Sequence, residues 1–284
     1  MPLLVRSNEM IAANSWQAID FISDLHLQAS QPLTFAAWRR FMDTTSADAV
    51  FILGDLFEVW VGDDSAIDDA PGDDSARESG AGFENQCAAV LRDTASRIPV
   101  FFMRGNRDFL VGPALMVQCG CTLLEDPTVL DFGGQRWLLS HGDALCLDDT
   151  DYLRFRSMVR SDPWQQSFLA KPLAERRTIA RALRRESEAR KQLSETWADV
   201  DKGAAITALR AAGASYMIHG HTHKPADHLL GPALHRIVLS DWDLGASPPR
   251  AQVLRLGRVN TANLATAPEV PAGVSIRRLA PENA

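Results

Sequence analysis

Side chains that could bind metal ions follow several short apolar runs of this sequence. Five such runs each end in Asp, His or Asn, in most cases beside a glycine. The donors are carboxylates, imidazoles and one amide, without a thiolate. Hard and borderline donors of this kind suit Mn²⁺, Fe²⁺ or Zn²⁺ better than copper. The candidate ligands are Asp24, His26, Asp55, Asn106, His141, His221 and His223.

The number of donors predicts the kind of centre. Seven donors are too many for one ion, so we expect two ions about 3.5–4 Å apart that share one carboxylate. Asp55, which ends the apolar run 51–53 after a glycine, is the candidate for the shared ligand. Such a pair holds a hydroxide at neutral pH, so no side-chain nucleophile is required. Arg107 would stabilise the charge that develops on phosphoryl oxygens. This predicts hydrolysis of a phosphoester by water.

Each of these motifs also has an ordinary structural explanation when it is taken alone. Asp24 could cap a turn and His26 could lie on the surface. Glu58 could be an eighth ligand, or it could orient a metal-bound histidine. His219 is better explained as a core histidine than as a ligand. Because five strand ends carry the pattern together, packing alone does not account for it.

Apolar runs at residues 19–22, 50–53, 100–103, 137–140 and 216–218 predict the strands that position these side chains. Helical spacing of apolar residues at 33–43 and 83–91 predicts helices between the first three strands. In sheets with helical crossovers, the loops after the strands open onto one crevice. The sequence therefore predicts an α/β fold with the candidate ligands at one edge.

The chain changes character between the fourth and fifth motifs. Residues 150–195 show no strand pattern, and the helix that opens at Pro172 carries apolar residues on one side and five arginines elsewhere. We predict an all-helical insertion over the crevice. An ordinary packing subdomain with a solvated charged face is the alternative.

Composition limits the classes of protein that the chain can represent. A formal net charge of −7 over 284 residues disfavours non-specific binding of nucleic acid. The four cysteines have no paired spacing, which favours a reducing cytosol. The first 17 residues lack the pattern of an export signal, so we expect no export. The aspartate-rich segment from residue 63 to residue 80 fits no EF-hand spacing and is predicted to be a solvated loop.

Five motifs together resemble the calcineurin-like metallophosphoesterase superfamily, and they stand in the order of that superfamily. The resemblance implies a four-layer α/β/β/α sandwich with two metal ions at the strand ends. It also implies that one ion binds Asp24, His26, Asp55 and His223 and the other Asp55, Asn106, His141 and His221. The motifs are Asp24-x-His26, Gly54-Asp55-x-x-Glu58, Gly105-Asn106-Arg107-Asp108, His141-Gly142-Asp143 and Gly220-His221-Thr222-His223.

Longer strings around these motifs are similar to the UDP-2,3-diacylglucosamine diphosphatase family of lipid A biosynthesis. This resemblance implies two Mn²⁺ ions and a helical lid over the acyl chains. It implies water attack on the α-phosphorus, which gives UMP and 2,3-diacylglucosamine 1-phosphate (lipid X). The implied catalytic residues are Asp55, Asn106, Arg107 and His141. The implied substrate contacts are Asn106, Arg107, Asp149, Ser187 and His221, with Lys191 chosen from a segment that departs from the family pattern.

These observations give a predicted organisation and a predicted setting. The core comprises residues 18–149 and 206–259, the lid comprises residues 150–205, and residues 1–17 and 260–284 are flexible termini. We expect a cytoplasmic protein, peripheral on the anionic inner-membrane surface, with a lipid-linked UDP-sugar substrate and neither nucleic acid nor an obligate protein partner. An enzyme on soluble nucleotides, or a scaffold without activity, would be the alternatives; a scaffold is expected to have lost ligands.

Overall fold

The computed structural model describes residues 8–66, 81–193, 199–259 and 273–284, with the backbone alone described for 81 and 186–193. It contains two six-stranded sheets. The strands are β1 (Asn8–Ile11), β2 (Ala18–Ile22), β3 (Ala49–Leu53), β4 (Val100–Met103), β5 (Thr122–Leu124), β6 (Thr128–Phe132), β7 (Gln135–Ser140), β8 (Tyr216–His219), β9 (Ala226–Gly231), β10 (Leu234–Val238), β11 (Val253–Arg258) and β12 (Val274–Leu279).

Seven α-helices connect or cover these strands within the described part of the chain. They are α1 (Pro32–Thr44), α2 (Ala81–Ala95), α3 (Pro113–Cys119), α4 (Thr150–Val159), α5 (Asp162–Leu169), α6 (Leu173–Leu193) and α7 (Lys202–Ala212). One sheet has the order β12-β11-β2-β3-β4-β5 and the other β1-β6-β7-β8-β10-β9. The pairs β2–β3, β3–β4, β7–β8 and β8–β10 are parallel.

The central strand β3 shows why the molecule forms layers. Its five residues are all buried, and alternate side chains of a strand point to opposite faces. Val50 and Ile52 pack with α1 and α2 residues such as Trp38 and Leu91. Phe51 instead packs against residues of the other sheet, such as Trp137. A fully apolar strand is therefore covered on both faces, as buried parallel strands require.

The far face of the second sheet is covered by α7. Leu209 of this helix packs with Leu138 and Met217. Asp201 caps the first turn by accepting a hydrogen bond from the backbone N–H of Ala204 at 2.7 Å. The layers are therefore helices, sheet, sheet and helix, which confirms the predicted four-layer α/β/β/α sandwich.

Parts of the two termini that were predicted to be flexible form strands. Residues 8–11 and 274–279, which were predicted to belong to flexible termini, form the edge strands β1 and β12. Val274 is fully buried, because β12 pairs with β11 and covers the end of the core between the sheets. Residues 1–7 and 260–272 lie outside the described residues. The limits of the predicted domains remain a prediction.

The start of the aspartate-rich segment is also structured. Asp63 accepts hydrogen bonds from the backbone N–H groups of Gly112 and Leu115, at 2.8 and 2.9 Å, and so caps α3. Asp64 forms an ion pair with the buried Arg176 of α6. These two aspartates are tied to partners far away in the chain, so a solvated loop is wrong for residues 63–66. Residues 67–80 lie outside the described residues.

Candidate metal centre

The ends of five strands bring all seven predicted ligands into one cluster. Three motifs come from the first sheet and two from the second, and direct contacts link them. Asp24 and His26 follow β2, Asp55 follows β3, Asn106 follows β4, His141 follows β7, and His221 and His223 follow β8.

One half of the cluster contains Asp24, His26 and His223. Their donor atoms all lie within 4.8 Å of one another. The two Nε2 atoms of His26 and His223 are 3.2 Å apart, and His223 Nε2 lies 3.4 Å from Asp24 Oδ1. Three donors that converge this closely, one of them a buried carboxylate, fit a divalent cation.

The other half contains Asp24, Asp55 and His141, whose donor atoms also lie within 4.8 Å of one another. Asn106 Oδ1 lies 2.9 Å from His141 Nε2 and 2.8 Å from His221 Nδ1. A second point is therefore surrounded by residues from five strand ends: Asp24, Asp55, Asn106, His141 and His221. By distance alone, Asp24 belongs to both groups.

Asp55 lies between the two halves with one oxygen towards each. Its Oδ1 is 3.7 Å from His141 Nε2, and its Oδ2 is 4.0 Å from His26 Nε2. The residue is buried, and Oδ1 also accepts a hydrogen bond from the backbone N–H of Arg107 at 2.8 Å. This orientation fits a carboxylate shared by two ions.

The backbone at these residues is in an unusual conformation. Among the described residues, six that are not glycine have a positive φ, and five of these are predicted ligands. Such residues cost of order 1–3 kcal/mol each and collect at functional sites. Asp and His tolerate this region better than most residues. The five are Asp24, His26, Asp55, His221 and His223.

Two glycines allow the loops after β3 and β4 to approach each other. A Cβ atom on Gly105 would lie 2.0 Å from Asp55 Oδ1 and 2.4 Å from the Asp55 backbone nitrogen. Gly54 has a φ of +91°, and a Cβ there would lie 2.5 Å from His141 Nδ1. Only glycine fits these two positions, which explains why glycine precedes both ligands in the sequence.

Asp108 fixes the loop that carries Asp55. Its carboxylate accepts hydrogen bonds from the backbone N–H groups of Leu56 at 2.8 Å and Gly105 at 2.7 Å, with a longer one from Asp55 at 3.3 Å. Burial and the nearby Asp55 carboxylate raise the pKa of Asp108 to about 6. The sequence placed Asp108 in a motif without assigning it a role, since its partners are backbone groups of a distant segment.

The charges of the cluster shift the pKa values of its histidines in opposite directions. Burial and, to a smaller extent, the neighbouring His141 lower the pKa of His221 to about 3. Burial alone would lower the pKa of His141, but Asp55, Asp24 and Asp143 raise it to about 9. Burial would likewise raise the pKa of Asp24, but His223, His141 and His26 hold it well below its usual range. The negative charge of the buried carboxylates therefore stabilises a positive charge placed next to them.

In three of the four ligand histidines, the ring nitrogen that faces away from the cluster has an oxygen neighbour. His141 Nδ1 lies 3.0 Å from the carbonyl oxygen of Leu53, and His26 Nδ1 lies 2.9 Å from Glu58 Oε2. His223 Nδ1 lies 3.9 Å from Asp241 Oδ2. Such partners orient metal-binding histidines. The sequence analysis missed Asp241, although it too follows a strand, β10.

The predicted substrate contacts divide into three groups. Asn106 and His221 lie in the cluster, and Arg107 lies beside it with its side chain 18% exposed. Asp149 is exposed and caps α4 by accepting a hydrogen bond from the backbone N–H of Tyr152 at 3.0 Å. Ser187 and Lys191 lie in α6, but their side chains are outside the described residues.

A further carboxylate, Asp143, ties the helical segment to the site. It is fully buried and contacts Arg156 at 2.8 Å and Arg160 at 3.6 Å. The hydroxyl of Tyr152 donates a hydrogen bond to it at 2.5 Å. Arg160 also donates a hydrogen bond to the carbonyl oxygen of Gly105 at 2.8 Å. The start of the insertion is thus attached directly to two of the ligand loops.

Two other expectations can be compared with the structure. His219 is fully buried, as predicted for a core histidine, and burial lowers its pKa to about 4. In the parts of the chain that the structure describes, no helix has the length and apolar character that crossing a membrane would need.

This fold and this cluster of strand-end ligands define a class of protein. The sequence profile described as calcineurin-like phosphoesterase matches residues 18–225, which include all five motifs. The chain therefore belongs to the calcineurin-like phosphoesterase family, which confirms the resemblance seen in the motifs.

Curated relatives of the chain narrow the comparison further. The chain is 47% identical over 235 residues to the UDP-2,3-diacylglucosamine hydrolase of Chromobacterium violaceum, covering 80% of this chain and 92% of that protein. It is 42% identical over 249 residues to the protein of the same name from Ralstonia nicotianae, covering 83% and 88%. It is 41% identical over 251 residues to that from Aromatoleum aromaticum, covering 84% and 96%. The closer resemblance seen in the longer strings is thereby confirmed.

Proposed function

We propose that this chain hydrolyses the pyrophosphate bond of UDP-2,3-diacylglucosamine, giving UMP and 2,3-diacylglucosamine 1-phosphate, lipid X, in lipid A biosynthesis. The names of relatives at 41–47% identity support this substrate. The observation that carries the proposal is the complete set of seven donors in one cluster at the strand ends. A scaffold without activity has no need to retain all of them.

The proposed centre holds two divalent ions, which we assign as Mn²⁺. Asp24, His26, Asp55 and His223 would hold one of them, and Asp55, Asn106, His141 and His221 the other. When bound, such ions lower the pKa of a coordinated water and bind phosphoryl oxygens. The converging carboxylates and imidazoles support this assignment. A metal ion would bind their deprotonated forms and would replace the protons that these buried groups otherwise bind.

The residues of the chain would orient the reaction. Water oxygen forms a bond to the α-phosphorus, and the bond from that phosphorus to the bridging oxygen breaks. Arg107, whose side chain lies 3.6 Å from Glu58 beside the cluster, would stabilise the charge on the phosphoryl oxygens, and Asn106 and His221 would contact them. The leaving group is a phosphate monoester, a weak base, so a general acid is not required.

The bond broken can be read from the products formed in ¹⁸O-labelled water. With Mn²⁺ present, we expect hydrolysis of UDP-2,3-diacylglucosamine but not of UDP-N-acetylglucosamine, because acyl chains supply binding energy that the soluble sugar lacks. Mass spectrometry should find the label in UMP and none in the sugar 1-phosphate.

The two substrates separate this proposal from its main competitor. Faster hydrolysis of UDP-N-acetylglucosamine would instead identify an enzyme on soluble nucleotides. Label in the sugar 1-phosphate would show attack on the β-phosphorus and contradict the proposed reaction.

We also propose that the protein lies on the cytoplasmic face of the inner membrane. Arg181 and Arg185 are exposed on α6. Met158 of α4 and Leu169 of α5, which belong to the same insertion, are about half exposed. Basic residues near an anionic surface contribute about 1 kcal/mol each. Exposed apolar groups of the insertion could enter the headgroup region.

Sedimentation with vesicles tests this membrane proposal. We expect binding to phosphatidylglycerol vesicles that weakens as salt rises, and little binding to phosphatidylcholine vesicles. The double substitution Arg181→Gln and Arg185→Gln should weaken it by about 30-fold, from about fivefold per arginine. Binding that is absent at low salt would contradict the proposal.

A further inference from the structure

Glu58 lies at the junction of three parts of the molecule. Its side chain is 8% exposed and contacts His26 Nδ1 at 2.9 Å and Arg107 Nη1 at 3.6 Å. It also forms a close ion pair with Arg184 of α6. One buried carboxylate therefore joins a predicted metal ligand, a predicted catalytic residue and the long helix of the insertion.

The base of α6 is held in place without Glu58. Leu173 and Ile179 pack against the core between the first sheet and its helices. Arg176 is buried and donates hydrogen bonds to the carbonyl oxygens of Lys171 at 2.9 Å and Val61 at 2.5 Å. Ala180 also packs against that core, and Arg184 is four residues further along, about 6 Å at 1.5 Å per residue. Its contact with Glu58 therefore acts one turn beyond the part of α6 that these contacts fix.

The contacts of Glu58 are ionic rather than well aligned. Neither His26 Nδ1 nor Glu58 Oε1 has a hydrogen bond within the described part of the chain. Burial would raise the pKa of Glu58, but His26, Arg107 and Arg184 together lower it. Three basic side chains therefore converge on one buried carboxylate, and the alignment of each contact depends on how that carboxylate is oriented. A histidine that binds a metal through Nε2 keeps its proton on Nδ1 and donates it to such a carboxylate.

We infer that Glu58 couples metal binding at His26 to the docking of α6 through Arg184. An ion at His26 would fix the ring, the ring would fix Glu58, and a fixed Glu58 binds Arg184 more tightly. By thermodynamic linkage, a docked Arg184 then strengthens metal binding to the same extent. This inference rests on the proposed metal centre and does not depend on the identity of the substrate.

A simple buried ion pair makes a different prediction. In that case Arg184 would hold α6 equally well with and without metal, and removing its positive charge would strengthen the binding of a cation nearby. Coupling through Glu58 predicts the opposite: removing the positive charge of Arg184 would weaken the binding of the metal ion. The two explanations can therefore be separated without measuring activity.

Hydrogen exchange with and without Mn²⁺ tests the inference. In the wild type, Mn²⁺ should slow amide exchange in peptides that cover residues 176–185 by about fivefold or more, the lower end of typical coupling. In Glu58→Gln, saturating Mn²⁺ should leave this exchange unchanged. Calorimetry should find that Arg184→Gln binds Mn²⁺ about fivefold more weakly than the wild type.

Arg185→Gln is the matched control, since Arg185 is the exposed neighbour of Arg184 on α6; it should keep the exchange response and the affinity of the wild type. If Glu58→Gln does not fold, Arg184→Gln still decides, because Arg184 is 27% exposed. Unchanged or tighter Mn²⁺ binding by Arg184→Gln would overturn the inference. A wild type that binds no Mn²⁺ would instead contradict the proposed metal centre.

Discussion

Asp55→Ala is expected to lower kcat/KM by about a thousandfold or more and to reduce the bound Mn²⁺. Losing one hydrogen-bond donor to a developing oxyanion already costs about 10²–10³ in rate, and Asp55 turns one oxygen towards each half of the cluster, so its loss would affect both proposed ions. Without it, the two halves lose their shared negative charge, and the buried carboxylate of Asp24 is left to attract both ions. The measurement is metal content by mass spectrometry together with steady-state kinetics.

A control variant separates this effect from a general loss of an aspartate. Asp93 is exposed on α2, away from the ligand loops, so Asp93→Ala should keep the metal content and the rate of the wild type. An Asp55→Ala protein that retains both ions and turns over at a nearly normal rate would show that Asp55 is not the bridge.

The sequence predicted which side chains the structure brings together, because metal chemistry restricts both residue type and place. The candidates are Asp, His and Asn at strand ends, and the strand before each of them is apolar enough to be recognised. Whether they bind metal stays a prediction. The glycines at positions 54 and 105 were visible for the same reason, since close approach of the loops tolerates no side chain there. At these residues, the local sequence pattern therefore indicates the position in the fold as well.

Partners that depend on distant segments could not be predicted in this way. Arg176 is 112 residues from Asp64, so nothing near the aspartates showed that one of them would be paired. Asp108 and Asp241 act through groups that the fold alone brings close. Strand β12 was missed because residues 260–272 separate its weak alternation from its partner β11.

The structure also relates the helical insertion to the ligand loops. Two acidic residues from the family motifs, Glu58 and Asp143, contact arginines of α6 and α4. Each therefore connects a ligand loop to a helix of the insertion. Glu58 is the contact that can respond to metal, since it touches His26 directly, whereas Asp143 touches no ligand side chain among the contacts described. Asp143 is accordingly expected to act mainly on stability.

Asp143→Ala should lower the free energy of unfolding by about 3 kcal/mol, near the lower end of the cost of breaking a buried ion pair. The substitution leaves Arg156 and Arg160, each 21% exposed, without their shared carboxylate, and removes the acceptor of the Tyr152 hydroxyl. Urea unfolding of the metal-free protein in EDTA, followed by tryptophan fluorescence, measures this change.

The same helix contains a matched control for this prediction. Asp151 pairs with Arg154 at 3.0 Å on α4, but both side chains are at least 75% exposed. Exposed pairs contribute little, so Asp151→Ala should leave the urea midpoint unchanged within error. Equal effects of the two substitutions would contradict the anchoring role of Asp143.

The dependence of stability on pH separates the contribution of the negative charge of Asp143 from the contribution of its shape. Burial would raise the pKa of Asp143, but His141, Arg160 and Arg156 hold it well below the usual 3.8. Because the folded-state pKa is depressed, the stabilisation is complete above pH 3.8 and is lost as pH falls below that value. The stability difference between wild type and Asp143→Asn should therefore be constant from about pH 6 to pH 5, below the range in which His141 titrates, and should shrink below about pH 4. A difference that stays constant to pH 3 would show that shape, and not charge, holds α4 to the ligand loops.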